Sequence, residues 1–193
     1  MAKSIDTSKI ERIKESTVEM VVRHGYNAAS VSLIAKNAGV ADGYLYRFYP
    51  SKYDLVSDIF KSKVEMLNHV LEEFYEANES IRDVVTSFVG YILKRAKDFP
   101  VQTKFLFMLI HDYSFEIDKV AANHMKGIFE KLLQKGQQNG EISAGITSED
   151  LYMLVIGQTL LYIDSRFRNH FGETEFEEQM AERVSNMCLK AIK

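Results

Sequence analysis

Apolar residues recur at helical spacing along almost the whole chain. Ile10, Ile13, Thr17, Met20 and Val21 share one stripe, which stops at His24-Gly25. Val31, Ile34, Ala35 and Ala38 repeat the pattern over a shorter stretch. A longer helix is predicted from residue 52 to about 77, with Leu55, Ile59, Phe60, Val64, Leu67, Val70, Leu71 and Phe74 inward. It contains no helix breaker, so it can carry a rigid-body shift. Further helices are predicted over about 80–98, 100–113, 117–139 (ending at Gly140), 148–168 and 175–192, with a turn at Gly172-Glu173-Thr174. No internal repeat, heptad run or low-complexity segment interrupts the pattern. The expected fold is all-α.

The segment from Ser30 to Lys52 says most about function. Ser30 stands before an apolar run and can cap a new helix. Ala35 is small where a second helix must cross closely. Gly39 follows the last helical position and can take the left-handed conformation that ends a helix without strain. Val40 then fills the corner. A second short helix starts at Ala41 or Asp42, and Leu45 with Phe48 or Tyr49 points back to the core. Ala41, Asp42, Gly43, Tyr44, Tyr46 and Arg47 are left facing outward. Pro50-Ser51 breaks this helix, because the residue before a proline leaves the helical region. Two short helices joined by a glycine turn make a helix-turn-helix, which places its second helix in the major groove of DNA.

The elements Gly25-Tyr26, Ser30-Val31, Ile34-Ala35, Ala38-Gly39-Val40, Gly43, Leu45-Tyr46, Lys52 and Leu55 resemble the N-terminal domain of the TetR family of bacterial transcriptional regulators. The resemblance implies an N-terminal three-helix helix-turn-helix DNA-binding domain (residues 1–52) and a larger C-terminal helical domain (53–193) for effector binding and dimerisation. By position, it makes Ser30, Tyr46 and Lys52 phosphate contacts and Ala41, Asp42 and Tyr44 readers of base edges, with Arg47 on the same face. Gly43 is small for close approach either to DNA or to the first helix. Asp42 either accepts from a cytosine amino group or serves as a plain helix cap. Two positions depart from the family pattern. Phe48-Tyr49 stands where Tyr or His followed by Phe is usual, so one phosphate donor is lost if Phe48 faces outward, and the Tyr49 hydroxyl then needs a partner. Tyr44 stands where a small residue is common.

The chain has 193 residues, 46% of them hydrophobic, with 2 prolines and 10 glycines. That content suits one or two compact domains and argues against disorder and against an all-β fold. The single cysteine, Cys188, permits no internal disulfide and fits a reducing cytoplasm. The opening Met-Ala-Lys-Ser-Ile-Asp runs into a polar helix, so no signal peptide is expected. The apolar run 151–163 is too short to span a bilayer. Net charge is −3, yet residues 1–52 hold eight basic against five acidic side chains, a local +3 that leaves −6 for the remainder. Phosphate binding follows the local patch rather than the total. Lys3 and Lys9 are placed to reach the DNA backbone.

No Gly-x-Ser-x-Gly elbow, phosphate loop or His-Glu-x-x-His motif is present, so no enzyme activity is expected. The 5 histidines are dispersed. Glu65 and His69 share a helical face but read as a surface pair, and no metal or cofactor is expected.

The helix beginning at Leu151 is apolar nearly all round, as a helix buried on more than one face must be. With the last helix (Phe176, Met180, Val184, Met187, Cys188) it can form a four-helix homodimer interface; the alternative is internal core only. Two-fold symmetry suits a palindromic operator. Phe88, Tyr91, Phe107, Met108, His111, Met125, Phe129, Gln158 and Tyr162 combine apolar walls with a few polar groups, as a small-molecule pocket does. Taken singly they also read as packed core; the family resemblance makes a pocket for an apolar or aromatic effector the expectation. The function expected is a cytoplasmic, ligand-responsive regulator, a repressor released from its operator by that effector. The alternative is a helical protein-protein interaction module without sequence-specific DNA binding.

Overall fold

The computed structural model describes residues 7–117, 119–172, 176 and 179–193. It is helical: α1 (Thr7–His24), α2 (Val31–Ala38), α3 (Asp42–Leu45), α4 (Lys52–Ala77), α5 (Ile81–Asp98), α6 (Pro100–His111), α7 (Lys119–Gln138), α8 (Ser148–Tyr152), a π-helical turn (Met153–Gly157), α9 (Gln158–Phe167) and α10 (Met180–Ala191). Among the described residues the only β feature is an isolated bridge between His170 and Gly172. None of the helices is long and apolar enough to cross a membrane. Lys3, most of the turn predicted at 172–174 and the predicted start of the last helix at 175 fall outside the described residues.

The chain divides into two compact units. The first holds the described residues of Met1–Lys63 together with those of Val101–Asp118; the second holds Val64–Pro100 and Lys119–Lys193. Residue 52, where the sequence motif stops, is the first residue of α4, and by packing the first unit continues eleven residues further and takes in α6 beyond Pro100.

In the first unit α1, with Ile13, Val18, Met20 and Val21 buried, packs against α2, with Ile34, Ala35 and Ala38 buried, and α2 packs in turn against α3, whose Leu45 is buried. Helix α4 adds Leu55, Val56, Ile59 and Phe60, and α6 adds Phe105 and Leu109. Local chemistry sets the ends of these helices. Ser30 accepts from the Leu33 amide (3.2 Å) at the start of α2. Gly39 closes α2 at φ +67°, and the following Val40 amide returns to the Ala35 carbonyl (3.0 Å). A polar clasp ties α1 to α2. Ser16 donates to the Ile34 carbonyl (2.8 Å), and the Asn37 amide donates to Ser16 Oγ and to Glu19, each at 3.1 Å.

In the second unit α5 is the central helix. Val84, Val85, Phe88, Val89, Ile92, Leu93 and Ala96 are all buried along it. It packs most extensively against α10, which contributes Met180, Val184, Cys188 and Leu189. The loop after α7 folds back over Gly136, where an added Cβ would run into the Ile142 side chain and force it to shift. Glu141 on that loop then caps α5, accepting from the amides of Ile81 (3.0 Å) and Arg82 (3.2 Å) and from Ser80 Oγ (2.9 Å). Burial works against ionisation of Glu141, but these donors outweigh it and hold its carboxyl below the ordinary 4.5.

The single helix expected over 148–168 is three pieces. Thr147 and Asp150 form a reciprocal capping box at its start. The wider π turn then inserts one residue of register, a feature with no period of its own in sequence. Leu151, Val155, Ile156 and Ile163 are buried, whereas Met153 (59% exposed) and Leu161 (69%) face outward.

Candidate nucleic-acid interface

Helix α3 and its neighbours present one face of the first unit. Ala41 is exposed and extended (φ −73°, ψ 145°) and is the cap position of α3, without a side-chain cap bond. Asp42 is the first helical residue and accepts from the Ser32 hydroxyl of α2. It therefore locks α3 to α2 instead of capping, and keeps its other acceptor sites for an outside donor. Gly43 is exposed, and a Cβ placed on it would meet nothing within 4 Å. Close approach to α1 is therefore not the reason for a small residue at 43.

Tyr44 is half-buried between two cations, with Lys9 Nζ 5.7 Å and the Arg47 guanidinium 5.6 Å from its ring centre. Its ring also packs on Phe48 at 5.3 Å. Tyr46 (57% exposed) and Arg47 stand free of the core. Together Lys9, Tyr44 and Arg47 form a cation-rich, aromatic cluster, and Tyr46 is exposed at the end of α3. Such a cluster attracts phosphate and offers rings and donors to base edges.

Ser30 is exposed, and its oxygen accepts from the Leu33 amide, a bond that does not use its hydroxyl proton. Lys52 is more heavily committed than the sequence suggests. Its ammonium donates to the carbonyls of Tyr26 (2.7 Å) and Asn27 (3.2 Å) and sits 4.4 Å above the Tyr26 ring. Burial draws Lys52 below its ordinary 10.5, with the Asp112 carboxylate pulling the other way. The third ammonium proton is what remains for a phosphate.

Tyr49 is the inner of the two aromatic residues at the end of this segment in chemical terms. Its hydroxyl donates to Asp58 Oδ2 (2.7 Å), which Lys14 also reaches at 3.0 Å. Burial pushes the Asp58 carboxyl up, but the hydrogen bonds from Tyr49 and Lys14 reverse this and hold it below the ordinary 3.8. That network supplies the partner the Tyr49 hydroxyl requires, and leaves Phe48 to support Tyr44.

The segment following α6 also belongs to this unit, which the periodicity along the chain did not reveal. Phe115 is buried and touches the rings of Tyr26 (5.2 Å), Tyr53 (5.8 Å) and Phe60 (5.6 Å). Asn27 donates to Ser114 Oγ (2.9 Å), and the Tyr53 hydroxyl donates to the Glu116 carbonyl (3.1 Å). Asp112 folds the segment by accepting from the Ser114 amide at 2.9 Å. The signal available in sequence was the Asp-Tyr-Ser turn placed directly after an apolar helix.

Residues 13–59 match the family model for bacterial regulatory proteins of the tetR family. These residues thus carry the helix-turn-helix domain of the TetR family. The chain is 27% identical over 156 residues to the fatty acid metabolism regulator protein of Bacillus subtilis, covering 77% of this chain and 78% of that protein. Its fold matches the transcriptional regulator FadR from Bacillus subtilis, solved in complex with stearoyl-CoA, with a TM-score of 0.80 at 20% identity (95% and 99% of the two chains). A TetR family regulator from Marinobacter aquaeolei matches at TM-score 0.79 and 19% identity (97% and 96%).

The nine residues expected to bind an effector fall into three groups. Phe107, Met108 and His111 lie on α6 in the first unit, where the His111 ring stacks on Phe107 at 4.2 Å. Phe88 and Phe129 are fully buried in the core of the second unit, with Met125 packed beside them; Tyr91 meets Phe74 at 6.5 Å. Gln158 and Tyr162 come together on the Met187 sulfur, at 3.8 and 3.9 Å. Cys188 joins this last group: its thiol is 3.0 Å from the Leu154 carbonyl and 3.3 Å from Gln158 Oε1. Burial pushes that thiol up to about 11. Among the described residues no group of three or more His, Cys, Asp or Glu gathers as a metal site. His69 pairs with Glu73 at 3.2 Å.

Proposed function

We propose that this chain is a homodimeric transcriptional repressor that binds a two-fold symmetric operator and is released by a long-chain acyl effector. The observation that carries the DNA-binding part is the Lys9–Tyr44–Arg47 cluster on and beside α3, with Tyr46 exposed at the end of that helix. Ala41, Asp42 and Tyr44 read base edges, while Ser30, Tyr46, Arg47 and Lys52 hold phosphates and Gly43 admits the duplex closely. Exposed Met153, Leu161 and Phe171 (81%) support self-association through the last helices, since apolar side chains so placed are costly to leave in water. The likeness to a fatty acid metabolism regulator and to FadR with stearoyl-CoA supports an acyl chain as effector. Phe88, Met125, Phe129 and Tyr162 of the second unit supply apolar walls for it, and Tyr91 and Gln158 of the same unit extend the candidate lining. Release is a population shift: the acyl ligand prefers a spacing of the two DNA-reading heads that no longer matches successive major grooves.

The test is selection of bound fragments from random DNA by the full chain, followed by gel shifts with and without stearoyl-CoA across a salt series. A palindromic site whose occupancy falls on adding stearoyl-CoA is expected. Tyr46→Ala weakens binding to all sequences, whereas Tyr44→Ala changes the preferred site by about 1–3 kcal/mol of discrimination at the affected base pair. Recovery of no preferred sequence at low salt overturns the reading in favour of an interaction module.

A further inference from the structure

Five polar side chains are buried among the described residues: Ser16, Thr17, Asn68, Thr159 and Ser185. Four are hydroxyls that close on a nearby carbonyl, at 2.8, 2.7, 2.6 and 2.7 Å respectively. Asn68 differs. It is 0% exposed, and neither its Nδ2 nor its Oδ1 has a hydrogen-bond partner.

A primary amide carries two donors and an acceptor oxygen with two lone pairs. Folding removes all of them from water here and returns nothing, which is unfavourable. Helix α4 does not require the residue. Val64, Asn68, Leu71 and Tyr75 follow one another down one face of α4, so an apolar side chain at 68 would continue an apolar stripe. The polar residue one turn further, Glu72, does not serve Asn68; its Oε1 faces His124 (3.3 Å) and Lys131 (3.8 Å) instead. A buried amide left open in the effector unit is a recognition group waiting for a partner from outside the chain.

We infer that Asn68 is the polar anchor of the effector site, with its Nδ2 donating to the carbonyl oxygen at the head of a long acyl chain. This rests on the acyl-effector reading above and adds the residue that reads the carbonyl. No residue of α4 was among the nine candidates. The carbonyl belongs either to a coenzyme A thioester or to a free fatty acid; both present the same acceptor at the end of the same apolar chain.

Equilibrium binding to the full chain by calorimetry tests this with three probes: stearoyl-CoA, stearate, and S-octadecyl-CoA, a thioether that lacks the carbonyl oxygen. Wild type is expected to prefer stearoyl-CoA over the thioether by about tenfold, the effect of one hydrogen bond. Asn68→Leu loses that preference, binds stearoyl-CoA about tenfold more weakly, keeps its operator affinity without effector, and melts no lower than wild type. Asn68→Ala gives the same loss of preference and guards against overpacking by leucine. Stearate bound as tightly as stearoyl-CoA, and weakened equally by Asn68→Leu, assigns the carbonyl to the free acid. If wild type binds stearoyl-CoA but both variants keep full affinity and preference, the anchor role is wrong while the effector class stands. If wild type binds no acyl probe, the effector class itself is overturned, and this inference with it.

Discussion

The two compact units hold themselves together by different means. In the first, directional bonds recur at each join: the Ser16–Asn37–Glu19 clasp, Lys52 on two carbonyls, Tyr49 and Lys14 on Asp58, and Asn27 on Ser114. In the second, the interior is a single apolar cluster built around α5, with directional bonds such as those of Glu141 at the end of that helix, and Asn68 is buried without a hydrogen-bond partner. Hydrogen bonds fix angles as well as distances, whereas apolar packing tolerates rearrangement provided volume is kept. A surface that must match a duplex needs the first kind of cohesion. An interior that must open for a guest needs the second.

The contrast can be tested by comparing matched substitutions. Phe88→Ala in the second unit removes a fully buried ring and should cost about 3–5 kcal/mol in urea unfolding. Ser16→Ala in the first unit removes the bond to the Ile34 carbonyl and leaves one Asn37 amide proton without its acceptor, and should cost about 1–3 kcal/mol. An effect below a few tenths of a kcal/mol there would show that the polar joins are incidental. Ser30→Ala should cost about 1 kcal/mol through the lost cap of α2, and Ser30→Gly markedly less.

The smallest effect is on the acid side. Asp58 and Glu141 both have carboxyls depressed in the folded chain. Each therefore adds stability that is complete above its unfolded value, near 3.8 and 4.5, and is lost as pH falls through the lower folded value. Asp58→Asn and Glu141→Gln should each flatten the loss of stability below about pH 4.5, followed by thermal melts on a pH series. Because Asp58 is exposed, its share is the smaller and is reduced further by salt.

Local chemistry made much of the first unit legible. Ser30, Gly39 and Gly25 announce helix ends through caps and left-handed turns, signals that need only a few neighbouring residues. The stripe on α1 gave its buried face because a period of 3.6 survives in any context. What escaped depended on distant partners. Nothing near Phe115 in the sequence indicates that its ring meets Tyr26, and Lys52 reads as a surface cation until the carbonyls of Tyr26 and Asn27 close on it. Asn68 did leave a trace, as a polar residue set squarely in an apolar stripe, but only its full burial without a partner gives that trace meaning. The π turn leaves none, since an extra residue in a helix changes hydrogen-bond register without changing composition.

Cys188 has a practical consequence. It is the only cysteine in the chain, it is buried, and with its thiol pushed up to about 11 almost none of it is thiolate at neutral pH. Thiol reagents will pass it by. A cysteine introduced at exposed Ala41 would then be the one fast-reacting thiol in each subunit, so a spin label or dye pair attached there in the self-associated form would report the separation of the two reading helices directly, with and without an acyl ligand. The wild-type chain is already the silent background that such a distance measurement needs.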